Sequence, residues 1–455
     1  MTAPSTTNSL TATGPSSRPA ALVVNHWHDD NKGDSAITTV TLSLLRRQWP
    51  DLDIALASML AADDAALGRS FRHVAARIPD VRTRPSFVAA LPSGGGRPSI
   101  TATISWAARV AGAAAATAAG RPPAALAAAV DSADLVVLVG GSNLFDTGRR
   151  PPLSTLRLLQ CVLPALVARR RRTPYVLIGH TLGPVRSRAG RALLRSVVRH
   201  AALVVARESH TMELVRDELG VADELGDRLQ LAPDVAFALD AESSARLESV
   251  IATLRGSRFA VLVPRSYHHP DPARDERLVA EMSDLGRAAL DAGLVDRIVV
   301  FPQCLGPTVI EDDRISAARI AANDPRFTVV DEDLSPGEVA ELYRHASFVV
   351  AVRLHAVILA LSVGTPVHGI EYFTNKTRGV FAAVGLDDHW SEFDRFDAAV
   401  ALARIKDLST PEGREHIRER AAQMRAGVLS IDLAALIPAT VSAVAKVTTT
   451  QGSTA

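Results

Sequence analysis

The segment Val349-Val-Ala-Val352-Arg353-Leu354-His355 joins an apolar run of strand length to an arginine and, two residues on, to a histidine that opens an apolar stretch. A guanidinium offers a rigid fork matched to carboxylate or phosphate, and an imidazole exchanges protons near neutral pH. Gripping an anion beside a proton transfer is the chemistry this pattern could do. An exposed salt bridge would account for Arg353 alone, at under ~1 kcal/mol. It does not account for the apolar runs on either side, which bury both residues unless a cleft opens there. Downstream, Gly364-Thr365-Pro366 leads into another apolar run that ends at Glu371 and Tyr372, with Lys376 just beyond.

Four segments of the first half also end apolar runs in polar groups. The first is Asn25-His-Trp-His-Asp-Asp-Asn31-Lys-Gly33-Asp34-Ser35, which sets His26, His28, Asp29 and Asn31 in one loop. Gly33 allows close backbone approach there, and Asp34 or Ser35 can cap the helix that follows. Leu135–Val139 runs into Gly140-Gly141-Ser142-Asn143, where paired glycines let backbone N–H groups point at a ligand. Ile178-Gly179-His180 precedes Gly183-Pro184, and Val205-Ala206 precedes Arg207-Glu208. Open α/β sheets bind ligands at the carboxyl ends of their strands, so these four segments aim polar groups at one rim.

The elements that must position these residues follow from the hydrophobic pattern. Apolar runs at Ala21–Asn25, Ile54–Ser58, Leu135–Val139, Tyr175–Gly179, Leu203–Ala206, Ala260–Val263, Arg297–Phe301, Phe348–Val352 and Val367–Ile370 alternate with helical stretches such as Ser35–Gln48, Arg191–His200, Ser209–Leu219, Pro336–His345 and His355–Ser362. Short β-branched strands that are apolar on both faces, with helices between them, predict parallel sheets in two doubly wound α/β domains. The domains are expected at 20–236 and 257–445, with a hinge near 235–257, a disordered leader at 1–19 and a disordered tail at 446–455. Between 82 and 125 the pattern dissolves, which predicts an inserted loop and a surface helix without chemistry.

A chain of 455 residues exceeds what one core usually supports, which agrees with two domains. Its 50 basic and 49 acidic side chains leave a net charge of +1, so no bulk field holds a nucleic acid or an anionic membrane, and any anion site must be local. Cys161 and Cys304 have no metal-type or redox-type spacing, and the start of the chain lacks the basic and apolar regions of a signal peptide. A cytoplasmic protein with no metal is the expectation.

In this order and spacing the motifs resemble the polysaccharide pyruvyl transferase family. The resemblance runs from about Asn25 to Leu386: Asn31-x-Gly33-Asp34, the Gly140-Gly141 turn, Gly183-Pro184, Arg207-Glu208-Ser209, Pro233-Asp234, Glu311-Asp312, Arg353-Leu354-His355, Gly364-Thr365-Pro366, and Tyr372 with Lys376. Two departures stand out: Ser142 where the family often has a third glycine, and a Tyr372 to Lys376 gap one residue longer than usual.

The resemblance implies an α/β fold of two Rossmann-like domains facing a cleft, GT-B-like. It also implies transfer of a pyruvyl group from phosphoenolpyruvate, with no further cofactor, onto two hydroxyls of a sugar as a cyclic ketal. That sugar belongs to a polysaccharide or lipid-linked glycan, and a membrane-bound acceptor would bring peripheral association with it. The catalytic acid is expected to be His355, with His180 second. Arg353, Arg207, Leu354 and Lys376 are expected to hold the donor, and Asn31, Asp34, Asp29, Gly141, Ser142 and Asn143 the acceptor, with Trp27 stacking on a sugar ring. Nearby arginines favour a neutral imidazole, and the bound donor anion offsets them. A donor gripped by Arg207 and Arg353 from opposite domains should draw the domains together. Two other classes fit the same features: a GT-B glycosyltransferase using a nucleotide sugar, with Glu371 as a ribose partner, and a non-catalytic glycan-binding relative.

Overall fold

The computed structural model describes residues 18–88, 99–148, 151–265, 272–372 and 376–437. The strands of the first half are β1 (Ala20–His26), β2 (Asp53–Ser58), β3 (Arg82–Arg84), β4 (Leu135–Val139), β5 (Leu144–Asp146), β6 (Tyr175–His180), β7 (Leu182–Val185), β8 (Leu203–Ala206) and β9 (Leu229–Leu231). Those of the second half are β10 (Phe259–Val263), β11 (Arg297–Val300), β12 (Phe327–Val329), β13 (Val349–Ala351), β14 (Val367–Glu371) and β15 (Trp390–Glu392).

Seven strands of the first half form one parallel sheet in the order β3-β2-β1-β4-β6-β8-β9, while β5 and β7 pair separately. The second half builds a parallel sheet in the order β12-β11-β10-β13-β14-β15. Helices cover both faces of the first sheet: Lys32–Gln48 packs Ala36, Ile37 and Val40 on one side, and Ile100–Ala118 and Pro151–Arg171 pack Trp106, Val110, Leu158 and Val162 on the other. The central strands are buried throughout, which is why they read as continuous apolar runs. Strand order reverses at β1/β4 and at β10/β13, so each sheet has its switch point, and hence its natural ligand crevice, between those pairs.

The stretch expected to be a loop begins with β3, an edge strand of the sheet, and only residues 89–98 of it lie outside the described residues. The predicted leader (apart from residues 18 and 19) and tail lie outside them as well. Past the hinge, the helix Pro411–Leu429 returns to the first half, where Arg47 donates to its Leu429 carbonyl at 3.4 Å, and its Arg425 holds the hinge through the Ala238 carbonyl at 3.1 Å and Asp240 at 2.7 Å.

A second tie joins the halves beside the cleft. The Leu305 amide donates to the Asp30 carbonyl at 3.0 Å, and Asn31 and Cys304 form an antiparallel bridge. Lys32, fully buried on the first half, places its ammonium on Asp333 of the second, where Arg72 and His73 also converge. Burial depresses the Lys32 pKa, with Asp333 opposing it. The protein's own groups therefore tie the two halves together beside the cleft. Asp333→Ala strands the Lys32 charge. It should lower unfolding free energy by about 2 kcal/mol, less than for a fully enclosed pair because Asp333 is partly exposed. Urea denaturation of the two proteins measures this, and unchanged stability would show that solvent reaches Lys32.

Candidate active site

Gly33 lies at the start of the helix Lys32–Gln48, where the Asn31 side chain caps it by accepting from the Gly33 and Asp34 amides at 3.1 and 3.4 Å. The same amide group donates to Asp34 at 2.6 Å, so Asn31 orients Asp34. Gly33 is needed for space. A Cβ there would stand 2.2 Å from His355 Nδ1, so the imidazole of the second half packs directly on the backbone of the first.

His355 sits in the first turn of the helix Leu354–Ser362, behind the strand β13 that ends at Ala351. Its Nε2 is buried without a hydrogen bond, and the nearest carboxylate is Asp234 Oδ2 at 3.6 Å. Asp234 also receives Arg207 Nη1 at 2.7 Å. Burial alone would raise the Asp234 pKa, but Arg207 and His355 pull it well below the usual carboxylate range. An ionised carboxylate is thus already in place beside the imidazole, which supplies the countercharge that sequence reasoning assigned to the donor alone.

Arg207 follows β8 and is held on three sides: Nε donates to Thr181 Oγ1 at 2.8 Å, Nη1 to Asp234, and Nη2 to Ser142 Oγ at 3.3 Å. Ser142 also receives the Lys376 ammonium, which crosses from the second half. Burial, with Arg207 nearby, pushes the Lys376 pKa down to about 8. Arg353 is nearly buried, and its Nε and Nη2 face Asp313 at 2.9 and 2.6 Å. Its fork grips a protein carboxylate, and only Nη1 is left without a hydrogen bond to the described residues. Asp34 lies among these groups, with Oδ1 3.5 Å from where a Gly141 Cβ would be. Burial raises its pKa against the opposing charges of His355, Arg207 and Arg353. Asn143 Nδ2 is a buried donor with no partner.

The structure thus gathers His355, Arg353, Arg207, Lys376, Asp34, Gly141, Ser142 and Asn143 at one cleft, with Leu354 in the turn that presents His355. Two expected site residues are not there. Asp29 is fully buried and caps the helix Arg72–Arg77, accepting from the His73 and Val74 amides at 2.7 and 3.0 Å. His180 is enclosed, with Nε2 on the Leu138 carbonyl at 3.1 Å. Burial lowers its pKa to about 3, so near neutral pH the ring is uncharged and its one N–H is held by that carbonyl. His28 likewise binds the Ala66 carbonyl and the Asp30 amide. Trp27, half-buried, donates to Glu311 across the cleft at 3.3 Å. Glu371 accepts from the Arg378 amide at 3.3 Å, capping the helix that starts at Lys376.

Sequence reasoning missed Arg265, just past the end of β10 at the switch point, stacked 4.1 Å from the Tyr372 ring centroid with its Nε buried and unbonded. Burial, with Arg353 nearby, lowers its pKa. The signal was present: β10 was read as a strand, yet the Pro264-Arg265 that follows it was given no role.

Two Rossmann-like domains with their switch points turned to a shared cationic cleft define a GT-B-like α/β protein. Solved structures agree at the level of fold. Medicago truncatula UGT71G1 complexed with UDP-glucose matches with a TM-score of 0.54 at 9% identity, covering 94% of this chain and 98% of that one. A putative UDP-N-acetylglucosamine 2-epimerase from Listeria monocytogenes matches with a TM-score of 0.51 at 13% identity, covering 89% and 90%. The profile of the polysaccharide pyruvyl transferase family matches residues 31–374, and the chain belongs to that family of transferases. The amylovoran biosynthesis protein AmsJ of Erwinia amylovora is 22% identical over 301 residues, 64% of this chain and 68% of the relative. No helix among the described residues is long and apolar enough to cross a membrane.

Proposed function

We propose that the protein transfers the pyruvyl group of phosphoenolpyruvate onto two hydroxyls of one sugar of a polysaccharide or lipid-linked glycan. The observation that carries this is the unbonded His355 Nε2 set among cations from both halves. Lys376, Arg265 and the remaining edge of Arg353 hold the donor's carboxylate and phosphate. The first backbone amides of the helix Leu354–Ser362, at Leu354 and His355, have no acceptor within that helix and face the same anion. Arg207 is fixed by Asp234, so it sets the potential of the pocket and positions Ser142.

His355 delivers a proton to the methylene carbon of the enol, and C2 becomes electrophilic. A first sugar hydroxyl adds to C2, the bond to phosphate breaks, and a second hydroxyl closes the ketal. Of the two hydroxyl protons lost, one balances the new methyl hydrogen and the other leaves with phosphate. Asp34 faces the acceptor hydroxyls and accepts a proton, while Asn143 Nδ2 hydrogen-bonds the sugar. Asp29 and His180 have no part in this scheme.

Phosphate release from phosphoenolpyruvate in the presence of acceptor glycans tests the reading. Release of a nucleoside diphosphate from a nucleotide sugar instead would assign a glycosyltransferase, with Glu371, one of whose oxygens accepts from the Arg378 amide, as the ribose partner. A pH dependence follows from Lys376. Its ammonium grips an anion only while protonated, so kcat/KM for the donor should fall as pH rises through about 8. Lys376→Met should lower kcat/KM below pH 8 and flatten that limb. A limb that survives the substitution belongs to another group.

A further inference from the structure

Residues 151–200 contain ten arginines and no aspartate or glutamate, against 40 basic and 49 acidic side chains in the rest of the chain. The near-neutral total conceals this segregation. All ten arginines except Arg191 are exposed. Carboxylates reach only two of them among the described residues: Asp131 faces Arg171 and Glu224 faces Arg199.

The two helices that carry most of these arginines cover the same side of the first sheet. The helices Pro151–Arg171 and Arg188–His200 run parallel, pinned by Thr155 against Ser187 at one end and by Arg169 on Ser196 near the other. The helix Ile100–Ala118 lies parallel to the first of these, with Trp106 donating to Gln160 at 2.8 Å and Arg170 to the Ala118 carbonyl at 2.7 Å. That register sets Ile100 and Ile104, 80% and 63% exposed, alongside the first half of the helix Pro151–Arg171, at the level of Arg157. The same end abuts the cleft: Asp146, bound by Ser154, Thr155 and Ser187, ends the short strand that follows Ser142 and Asn143.

We infer that this face docks on an anionic lipid bilayer, with Ile100 and Ile104 entering the interface and Arg157, Arg186, Arg188 and Arg195 lying on the headgroups. Charge complementarity selects an anionic partner. The exposed isoleucines select a bilayer over a polysaccharide or nucleic acid, because adsorption to lipid rewards apolar area in addition to charge. Docking there puts the acceptor side of the cleft at the membrane. Only this purpose, presentation of a lipid-linked sugar, rests on the proposed reaction.

Co-sedimentation of the full chain with phosphatidylcholine vesicles, with and without phosphatidylglycerol, tests it. Wild type should bind the anionic vesicles, be released by added salt, and ignore phosphatidylcholine alone. Each of Arg157→Gln, Arg186→Gln and Arg188→Gln should weaken binding about fivefold, and Ile100→Ser with Ile104→Ser should weaken it roughly tenfold. Absence of binding, equal binding to neutral vesicles, or full binding by either set of variants overturns the proposal. So does loss of vesicle binding to soluble competing RNA or dextran sulfate with no effect of the isoleucine changes, which would make the face a polyanion site. Phosphate release with a soluble acceptor should be unchanged in all these variants. Failure of that reaction in wild type, with vesicle binding intact, would sink the pyruvyl transfer reading and leave the surface standing.

Discussion

The His355→Ala protein should fold, bind phosphoenolpyruvate and lose transfer by about 10²–10⁴-fold, the range for removal of a positioned general acid. Three features place the loss on chemistry. The ring is partly exposed to the cleft, so little core packing goes with it. Its Nε2 satisfies no protein group, so its removal leaves no neighbour unpaired. Asp234 keeps its stronger partner, Arg207, at 2.7 Å, so the buried carboxylate stays compensated. Circular dichroism and donor titration establish the fold and binding, and single-turnover phosphate release measures the step. A folded variant keeping more than about a tenth of wild-type turnover, far above what this principle allows, would move the acid to Lys376. His180 is not a fallback, because its ring is enclosed and neutral.

Gly33→Ala should cost about 10²-fold without touching any reacting group. The added methyl would stand 2.2 Å from His355 Nδ1, 2.5 Å from Cγ and 2.9 Å from Cβ, so the imidazole must move by an ångström or more. Displacement on that scale costs about 10²-fold where a reacting geometry is held closely. Alanine is the better helix former by ~1 kcal/mol, but the overlap reaches His355 Cβ, and overpacking of that kind costs about 1–3 kcal/mol, so global stability should hold or fall modestly. The informative result is therefore a split: a folded protein with at most a modest fall in melting temperature, donor affinity within a few-fold, and turnover close to that of His355→Ala. Adding His355→Ala to Gly33→Ala should then cost little more, since both act through one ring. Full activity in Gly33→Ala would show that the ring can step aside and that its seat against the first half does not set the reaction.

Both predictions depend on residues that touch only because two sheets face each other, and this marks the division between what could be read from the chain and what could not. The central strands were legible. The run expected at Leu135–Val139 is β4 to the residue, and those at Tyr175–Gly179 and Val367–Ile370 miss β6 and β14 by one residue at the end. Burial on both faces writes a continuous apolar run into the sequence, and the polar residue that ends it marks the rim. The strands β3, β5, β9, β12 and β15 were not legible. Each has three residues at an edge or in a side pair, too short to leave a pattern.

Sequence order likewise brought Arg353, His355, Arg207, Lys376 and Asp34 to one cleft, because each stands just past a strand or at the start of a helix there. It could not say what each would face. Arg353 was read as free to hold a donor, and its fork meets Asp313. Asp29 looked like a sugar ligand and caps a helix 43 residues further along. Asp234, part of a recognised Pro-Asp pair with no assigned role, proves to be the carboxylate shared by Arg207 and His355. A strand end is specified by local pattern. The partner of a buried charge is chosen by which loops meet across the two sheets, and only the packed structure brings those loops together.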